Sequence, residues 1–173
     1  MVHEPYRSHP RRRPERGNIL SKTLAERFWA KVDISGDCWN WTAYKNGQGY
    51  GRIIVDGKVR FAHRVGYEME VGPIPDGMVI DHICHNEACV KPSHLRACTL
   101  KQNNENRPQV TRTASGHRGI TWHKASGKWY ARITHNYQVI RLGLFDDLDE
   151  AKTAIVDKRL ELFTHNDLDR TAA

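Results

Sequence analysis

The chain has 173 residues and a mass of 19.9 kDa, enough for one ordinary domain or two small ones. Its formal net charge of +7 and its pI of about 9.4 favour a polyanionic partner. No apolar run approaches the ~18 residues of a membrane span, and no window resembles a secretory signal. We therefore expect a cytoplasmic protein that is not secreted and has no membrane partner.

The N-terminal part is predicted to be an arm followed by a short helix and a hairpin. Residues 1–20 are rich in arginine and proline without an apolar period, which predicts a disordered basic arm. Such an arm could either follow DNA phosphates or remain a solvated tail. Ser21 could cap a helix that runs to about Val32. Strands over residues 50–55 and 59–64 are joined through Asp56-Gly57, a strong hairpin signal.

Two further groups of elements are predicted downstream. A short helical segment at 67–71 and a strand at 78–81 precede a helix that starts with the capping-box pattern Thr99-x-x-Gln102. Residues 108–115 are predicted to be a linker. Beyond them we predict three strands, at 119–123, 128–135 and 138–142, and a helix capped by Asp147.

Four cysteines in a chain expected to be cytoplasmic should be reduced, which favours a metal role over disulfides. Cys84-x4-Cys89-x4-His94 supplies three ligands within one loop, and tetrahedral zinc needs four. Cys38 is the best candidate for the fourth. A closed Cys3His site would be structural and would brace a module with a small core. The alternative is a set of reduced thiols buried as small hydrophobic groups, which is the preferred interpretation for Cys98.

The same region has the groups that phosphodiester hydrolysis requires. His82 could act as general base, because an imidazole titrates near neutral pH. A hard divalent cation prefers oxygen ligands, which the carboxamide of Asn103 and the carboxylate of Asp81 can offer. Either Arg52 or Arg64 could steady the phosphate, and the sequence does not choose between them. Without its neighbours, His82 would be interpreted as an ordinary core or surface histidine. Its place within the cluster of cysteines and His94 favours the catalytic role instead.

The pattern Asp81-His82-x-Cys84-x4-Cys89-x4-His94-Leu95, followed by Asn103, resembles the ββα-metal motif of HNH nucleases, and within it the His-Cys box branch and its phage relatives. The resemblance covers about residues 22–107. It implies one zinc held by Cys38, Cys84, Cys89 and His94, His82 as general base, and Asn103 as ligand of a catalytic Mg²⁺ or Mn²⁺. Asp81 occupies the position of an acidic residue that HNH relatives also use. His94 stands where the middle asparagine of the HNH name would be, which suits a zinc ligand.

The C-terminal unit separates its charges between a sheet and a helix. Residues 115–141 contain no acidic residue, whereas acids cluster at the start of the final helix. Strand alternation puts polar and basic side chains on one face and apolar ones on the other, which should pack against the helix. The polar face could enter a DNA groove. The polar side chains of the middle strand are Lys128, Tyr130, Arg132 and Thr134.

This unit resembles the AP2 DNA-binding domain through Arg118-Gly119-Ile120, Gly127-Lys128-Trp129, Leu142-Gly143-Leu144-Phe145 and Glu150-Ala151. The resemblance covers about residues 115–163 and implies a targeting module. The side chains that it implies face DNA are Arg118, Thr121, His123, Arg132, Thr134 and Arg141. The alternative is a solvated basic sheet with a structural role.

Together these features predict an α+β chain with a zinc-stapled nuclease domain at 21–107, an AP2-like domain at 116–165 and a tail at 166–173. The predicted function is site-directed cleavage of double-stranded DNA by a homing-type endonuclease of a phage or mobile element, acting in a bacterial or phage-infected cell. The alternatives are a non-catalytic DNA-binding regulator on the same scaffold and an RNA-directed protein. The target sequence, and whether a monomer nicks or a homodimer cuts both strands, are left open.

Overall fold

The computed structural model describes residues 22–107 and 114–172, which form a mixed α+β fold of small antiparallel sheets and short helices. This confirms the predicted α+β class. The predicted basic arm, the proposed cap Ser21 and most of the predicted linker lie outside the described residues. The described helices are α1 (Leu24–Trp29), α2 (Ala62–Glu70), α3 (Leu100–Glu105), α4 (Leu148–Leu162) and α5 (Asp167–Ala172). The described strands are β1 (Val32–Asp33), β2 (Asn40–Trp41), β3 (Arg52–Val55), β4 (Lys58–Phe61), β5 (Val79–His82), β6 (Leu95–Cys98), β7 (Ile120–His123), β8 (Lys128–His135) and β9 (Gln138–Phe145).

Helix α1 begins with a capping box that the sequence analysis overlooked. The Thr23 hydroxyl accepts from the Glu26 amide, and the Glu26 carboxylate accepts from the Thr23 amide at 2.7 Å. The helix ends at Trp29, and Val32 already belongs to β1, so the predicted helix was too long.

The β3–β4 hairpin was predicted correctly, but its second strand is shorter than expected. Asp56 and Gly57 both have positive φ, as a tight two-residue turn requires. The strand ends at Phe61 because α2 begins at Ala62, five residues before the predicted helical segment. Helix α2 packs closely on α1, since a Cβ at Gly66 would lie 2.9 Å from the Phe28 ring.

A small apolar core holds this N-terminal half together. Phe28 and Trp41 are fully buried, with ring centroids 5.4 Å apart. The hairpin and α2 close over them, so the core ties α1, β2, β3 and α2 into one unit. Its buried members are Phe28, Trp41, Ile53, Ala62, Val65 and Val90.

Strands β5 and β6 form the antiparallel pair that leads into α3. His82 pairs with Leu95 and Asp81 with Arg96, and a loop with a short 3-10 turn (Pro92–His94) joins the strands. As predicted, α3 begins with a Thr99–Gln102 capping box. This two-strand, one-helix arrangement has His82 at the end of β5 and Asn103 within α3.

The C-terminal half is a three-stranded antiparallel sheet in the order β7-β8-β9, with α4 against one face. Asp147 caps α4 as predicted, accepting from the amides of Asp149 and Glu150. A β-bulge shifts the β8–β9 register beside Ala131 and Arg132. The sheet and α4 share a separate buried core of Ile120, Ala131, Ala151 and Ile155.

The last residues differ from the tail that the sequence predicted, because they form α5. Phe163 is buried, and Asn166 is only 3% exposed. This segment packs against the β5–β6–α3 unit through polar contacts. Within the described residues, no helix is both long and apolar enough to cross a membrane.

Candidate active site and metal centre

Four side chains that the sequence singled out as metal ligands converge in the structure. One ligand atom from each of Cys38, Cys84, Cys89 and His94 lies within 4.8 Å of the others. The His94 Nδ1 atom is 3.6 Å from Cys38 Sγ and 3.7 Å from Cys89 Sγ. Zinc–ligand bond lengths in a tetrahedral site place sulfur and nitrogen ligands roughly 3.6 Å apart. The cluster can therefore hold a metal ion such as zinc.

Backbone pairing brings Cys38 to the loop that contains the other ligands. The Trp41 amide donates to the Ala88 carbonyl at 2.8 Å, and the Val90 amide donates to the Trp39 carbonyl at 2.8 Å. The Asn86 side chain also donates to Asn40 Oδ1 at 2.8 Å. These bonds join residues 39–41 to 86–90, so a ligand 46 positions upstream of Cys84 reaches the same site.

Burial favours the protonated form of the two loop thiols, so a bound cation would have to displace their protons. Burial raises the pKa of the Cys84 thiol to about 12, and burial also raises the pKa of Cys89. Grouped sulfurs would become thiolates only with a positive charge among them. Cys98 is buried in β6 and lies outside this cluster.

A cavity of about 410 Å³ lies beside the metal-ligand cluster and contains both His82 and Asn103 in its lining. The first comes from the end of β5 and the second from α3, so the fold brings together residues 21 positions apart. The cavity is thus the place where a base and a carboxamide oxygen could act on one phosphate. Its lining comprises Tyr50, Ile80, His82, His85, Glu87, Asn103, Asn104 and Arg107.

A hydrogen bond to the backbone defines the orientation and tautomer of the neutral His82 ring. Its Nε2 atom is 3.1 Å from the Cys89 carbonyl oxygen, which can only accept, so Nε2 carries the hydrogen. Nδ1 then keeps its lone pair. Burial lowers the pKa of His82 below its usual value, against the opposing effects of the Cys89 bond and the Asp81 charge. A neutral imidazole near pH 7 is the state that a general base requires.

A second histidine packs against His82, and the sequence analysis gave it no role. The His63 and His82 ring centroids are 4.7 Å apart, and Tyr50 lies 5.8 Å from His82. Burial, followed by the charge effect of His82, lowers the pKa of His63 to about 3. His63 therefore stays neutral and forms part of the wall behind His82.

Asp81, expected as a metal ligand, has other partners in the structure. It is 5% exposed and is absent from the cavity lining. Its Oδ2 accepts from Arg96 Nε at 3.0 Å, Arg96 Nη2 at 2.7 Å and Asn106 Nδ2 at 2.9 Å. The carboxylate thus anchors β6 and the end of α3 to β5.

Neither arginine suggested for the phosphate lines the cavity. Arg52 stacks over Phe61 at 3.9 Å, and Arg64 is half-buried on α2. The cation in the cavity lining is Arg107. It lies two residues beyond the end of α3 and was not predicted, because its place at the cavity depends on how the chain leaves the helix.

His85 and Glu87 also line the cavity without having been predicted. His85 has a positive φ of 54°, which is unusual for a non-glycine residue. Its Nε2 atom is buried without a hydrogen-bond partner among the described residues. Glu87 places an exposed carboxylate at the cavity. Both lie between Cys84 and Cys89, in a segment that the sequence pattern indicated only as a source of metal ligands.

Most of the side chains predicted to face DNA share the face of the sheet opposite α4. Cross-strand register pairs Thr121 with Tyr130, His123 with Lys128, and Arg132 with Arg141. Thr134 follows Arg132 by two residues in β8, on the same face. Lys128 also forms an ion pair with Asp146 at 2.9 Å. The face thus has basic, polar and aromatic groups.

Arg118 has a different position from the one predicted. Its guanidinium donates to the Asn104 carbonyl at 3.0 Å and is 3.4 Å from the Glu105 carbonyl. These carbonyls belong to the end of α3, and Arg118 itself lies just before β7. Arg118 therefore forms a contact between the C-terminal half and α3.

Comparison with known proteins identifies an HNH endonuclease domain at residues 60–105. This span contains β5, β6 and α3, with His82 and Asn103, and all of the cluster ligands except Cys38.

Three phage proteins are similar to parts of the chain. Protein 7.7 of Escherichia phage T7 is 44% identical over 80 residues, which is 46% of this chain and 62% of that protein. Protein 2.8 of the same phage is 34% identical over 101 residues, covering 57% of this chain and 67% of that protein. The gene 5.3 protein of Enterobacteria phage T3 is 49% identical over 41 residues, or 24% of this chain and 40% of that protein. The chain thus spans less than two thirds of Protein 7.7. No solved structure matches this chain.

Proposed function

The chain belongs to the family of phage proteins that includes Protein 2.8 of Escherichia phage T7 and carries an HNH endonuclease domain, and from this we propose that it is a metal-dependent DNA endonuclease. The observation that carries the proposal is the shared cavity of His82 and Asn103 beside a Cys3His cluster. The activity is hydrolysis of phosphodiester bonds in double-stranded DNA. The phage relatives support an enzyme of phage type, and the homing role in a phage or mobile element is part of the proposal.

His82 is the general base. With Nε2 donating to the Cys89 carbonyl, Nδ1 is the atom that accepts a proton from the attacking water. The bond to the backbone fixes the ring orientation, and the packed His63 and Tyr50 rings restrict its rotation. Burial lowers the pKa of His82, which favours the neutral form that a base requires.

Asn103 provides the protein ligand for a hard divalent cation, Mg²⁺ or Mn²⁺. A carboxamide oxygen suits such a cation, and the carboxylate of Glu87 lies in the same cavity. When bound, the cation supplies charge relief on the phosphate and on the leaving oxygen. Asp81 acts behind the cavity, since its Oδ2 is occupied by Arg96 and Asn106.

Arg107 contacts the phosphate at the cavity. An arginine fork matches phosphate oxygens, and its exposed side chain leaves it open to DNA. Arg52 and Arg64 were the candidates from sequence. Their positions over Phe61 and on α2 suit contacts to the DNA backbone beside the scissile bond.

Zinc is the ion of the Cys3His cluster, and its role is structural. The ligand spacing fits tetrahedral coordination, and four protein ligands leave no position for substrate. The cluster ties the loop between β5 and β6 to residue 38. It thereby holds the Cys89 carbonyl that orients His82.

The three-stranded sheet is an AP2-like DNA reader. The face opposite α4 has Arg132 and Arg141 paired across β8 and β9, with Thr121 and Tyr130 beside them. Side chains on such a face can reach base edges and phosphates. The reader directs cleavage by the nuclease half to particular sites.

A plasmid assay tests the proposed activity. We expect the parent protein to convert supercoiled plasmid to nicked or linear DNA when Mg²⁺ or Mn²⁺ is present, and to leave it intact when the cation is omitted. Omission is preferable to a strong chelator, which would also remove zinc. Tight DNA binding without cleavage in Mg²⁺ would instead indicate a non-catalytic regulator. Cleavage of RNA in preference to DNA would reject the proposed substrate.

The reader is tested by salt dependence. We expect Arg132→Ala combined with Arg141→Ala to weaken DNA binding and to reduce the slope of log affinity against log salt by about one per lost phosphate contact. Lys158→Ala on α4 removes a positive charge on the other side of the sheet, and it should leave the slope nearly unchanged. Equal slopes for the parent and the double variant would contradict the assignment of this face.

A further inference from the structure

The C-terminal segment is folded against the helix that carries Asn103. The Thr164 amide donates to Glu105 Oε2 at 3.0 Å, and the Asp167 amide donates to Asn106 Oδ1 at 3.0 Å. The receiving side chains are buried, with Glu105 6% and Asn106 3% exposed. Residues far beyond the HNH match thus satisfy polar groups at the end of α3.

Asp167 makes a second contact, to the arginine that holds Asp81. The Arg96 guanidinium donates to Asp167 Oδ1 at 3.2 Å and also bonds to Asp167 Oδ2. The same guanidinium donates to Asp81 Oδ2 at 2.7 Å. Asp81 immediately precedes His82 in β5. A continuous chain of charged contacts therefore joins α5 to the strand of the proposed base.

Helix α3 depends on these contacts because it is short. It has six residues, and a single helical segment of this length is not stable by itself in water. Its terminal carbonyls at Asn104 and Glu105 receive the Arg118 guanidinium from the C-terminal half. Side chains of Lys101 and His135 also lie near the Glu105 carboxylate, at 3.4 and 3.9 Å. Tertiary contacts thus determine where Asn103 lies.

We propose that Asp167 is a positioning residue for DNA cleavage. Its carboxylate holds Arg96 against Asp81 on the β5 side, and its amide holds Asn106 on the α3 side. Together these contacts fix His82 and Asn103 relative to each other. The inference rests on the proposed nuclease function and deepens it, because the C-terminal half becomes part of the catalytic scaffold in addition to reading DNA.

The test compares Asp167→Ala and Asp167→Asn with the parent under single-turnover conditions. Small errors of position are costly in catalysis, so we expect Asp167→Ala to cleave about tenfold to a hundredfold more slowly. Asp167→Asn, which keeps an acceptor, should lose less, and Asp167→Glu should recover part of the rate. The substitutions keep the Asp167 amide and remove only the carboxylate contact to Arg96, which in turn holds Asp81 against Asn106 at the end of α3. The Mg²⁺ concentration for half-maximal cleavage should therefore rise, because a less firmly held α3 positions Asn103 less well. DNA affinity and zinc content should stay at the parental values.

Asp157→Ala is the matched control, since Asp157 is an exposed aspartate on α4 outside this chain of contacts. It should behave as the parent in every measurement. Parental cleavage rate and Mg²⁺ requirement in Asp167→Ala would overturn the proposal. A rate loss explained wholly by weaker DNA binding or by lost zinc would also overturn it.

Amide hydrogen exchange separates this proposal from the nuclease assignment. In Asp167→Ala we expect amide exchange over residues 99–107 to be faster than in the parent, while exchange in β3 and β4 stays unchanged. If the parent protein does not cleave DNA, the proposed function fails, and exchange alone decides whether Asp167 holds α3. Unchanged exchange over 99–107 would reject the positioning role in either case.

Discussion

Replacing His82 with alanine should abolish DNA cleavage and leave DNA binding nearly intact. A positioned general base contributes about 10²–10⁴-fold to rate, and the cavity contains no second base with the same fixed bond to the backbone among its described lining residues. The contacts proposed to bind DNA are made by other residues, on the sheet face and by Arg107 in the cavity lining. The measurement is the single-turnover rate on plasmid together with DNA affinity in Mg²⁺-free buffer.

The pH dependence of the cleavage rate of the parent protein tests the role of His82 independently. Since burial lowers the pKa of His82, the neutral base becomes dominant at a lower pH than for an ordinary histidine. Cleavage should rise with pH through a midpoint below the ordinary histidine value and then level off. His117→Ala removes a half-buried histidine that lies outside the cavity and should retain the parental rate and profile. Parental cleavage by His82→Ala would show that the base is another group.

The parts of this site that the sequence could predict are those set by short spacings. Cys84, Cys89 and His94 lie within one loop, so their proximity follows from chain connectivity. The start of α3 follows from the Thr99–Gln102 capping box, because both of its hydrogen bonds join residues only three positions apart. His82 and Asn103 could be paired because the resemblance to HNH nucleases supplied the ββα arrangement between them.

The parts that could not be predicted depend on contacts between distant segments. Asp81 faces Arg96 across the β5–β6 pair, and Arg96 in turn reaches Asp167, 71 residues later. Nothing in the local pattern around Asp81 distinguishes a metal ligand from such an anchor. Arg118 likewise matched a DNA-facing position by motif, although its guanidinium meets the carbonyls of α3. The α5 helix was missed because its stability comes from docking and its short sequence has little apolar periodicity.

Replacing Cys84 or Cys89 with serine should release zinc and unfold the nuclease half. The loop of residues 83–91 has little regular structure, and the adjoining core has only six buried members. Metal binding to a structural zinc site contributes about 10–16 kcal/mol in zinc-finger peptides, whereas whole domains are stable by only about 5–15 kcal/mol. Loss of one thiolate is thus large enough to remove the fold. Zinc content by atomic emission and thermal unfolding by circular dichroism measure the result.

Cys98→Ala provides the matched control for this experiment, because Cys98 is a buried thiol that lies outside the ligand cluster. It should keep one zinc per chain and lose only the stability expected for a small change in a buried side chain, about 1 kcal/mol. The C-terminal sheet has its own core around Ile120 and Ile155, so residual β-structure in Cys84→Ser should come from that half. Pure, folded parent protein with no stoichiometric zinc would reject the structural role of the cluster. Retention of zinc and of the parental unfolding temperature by both serine variants would reject the ligand set, since a tetrahedral site cannot lose either thiolate without consequence.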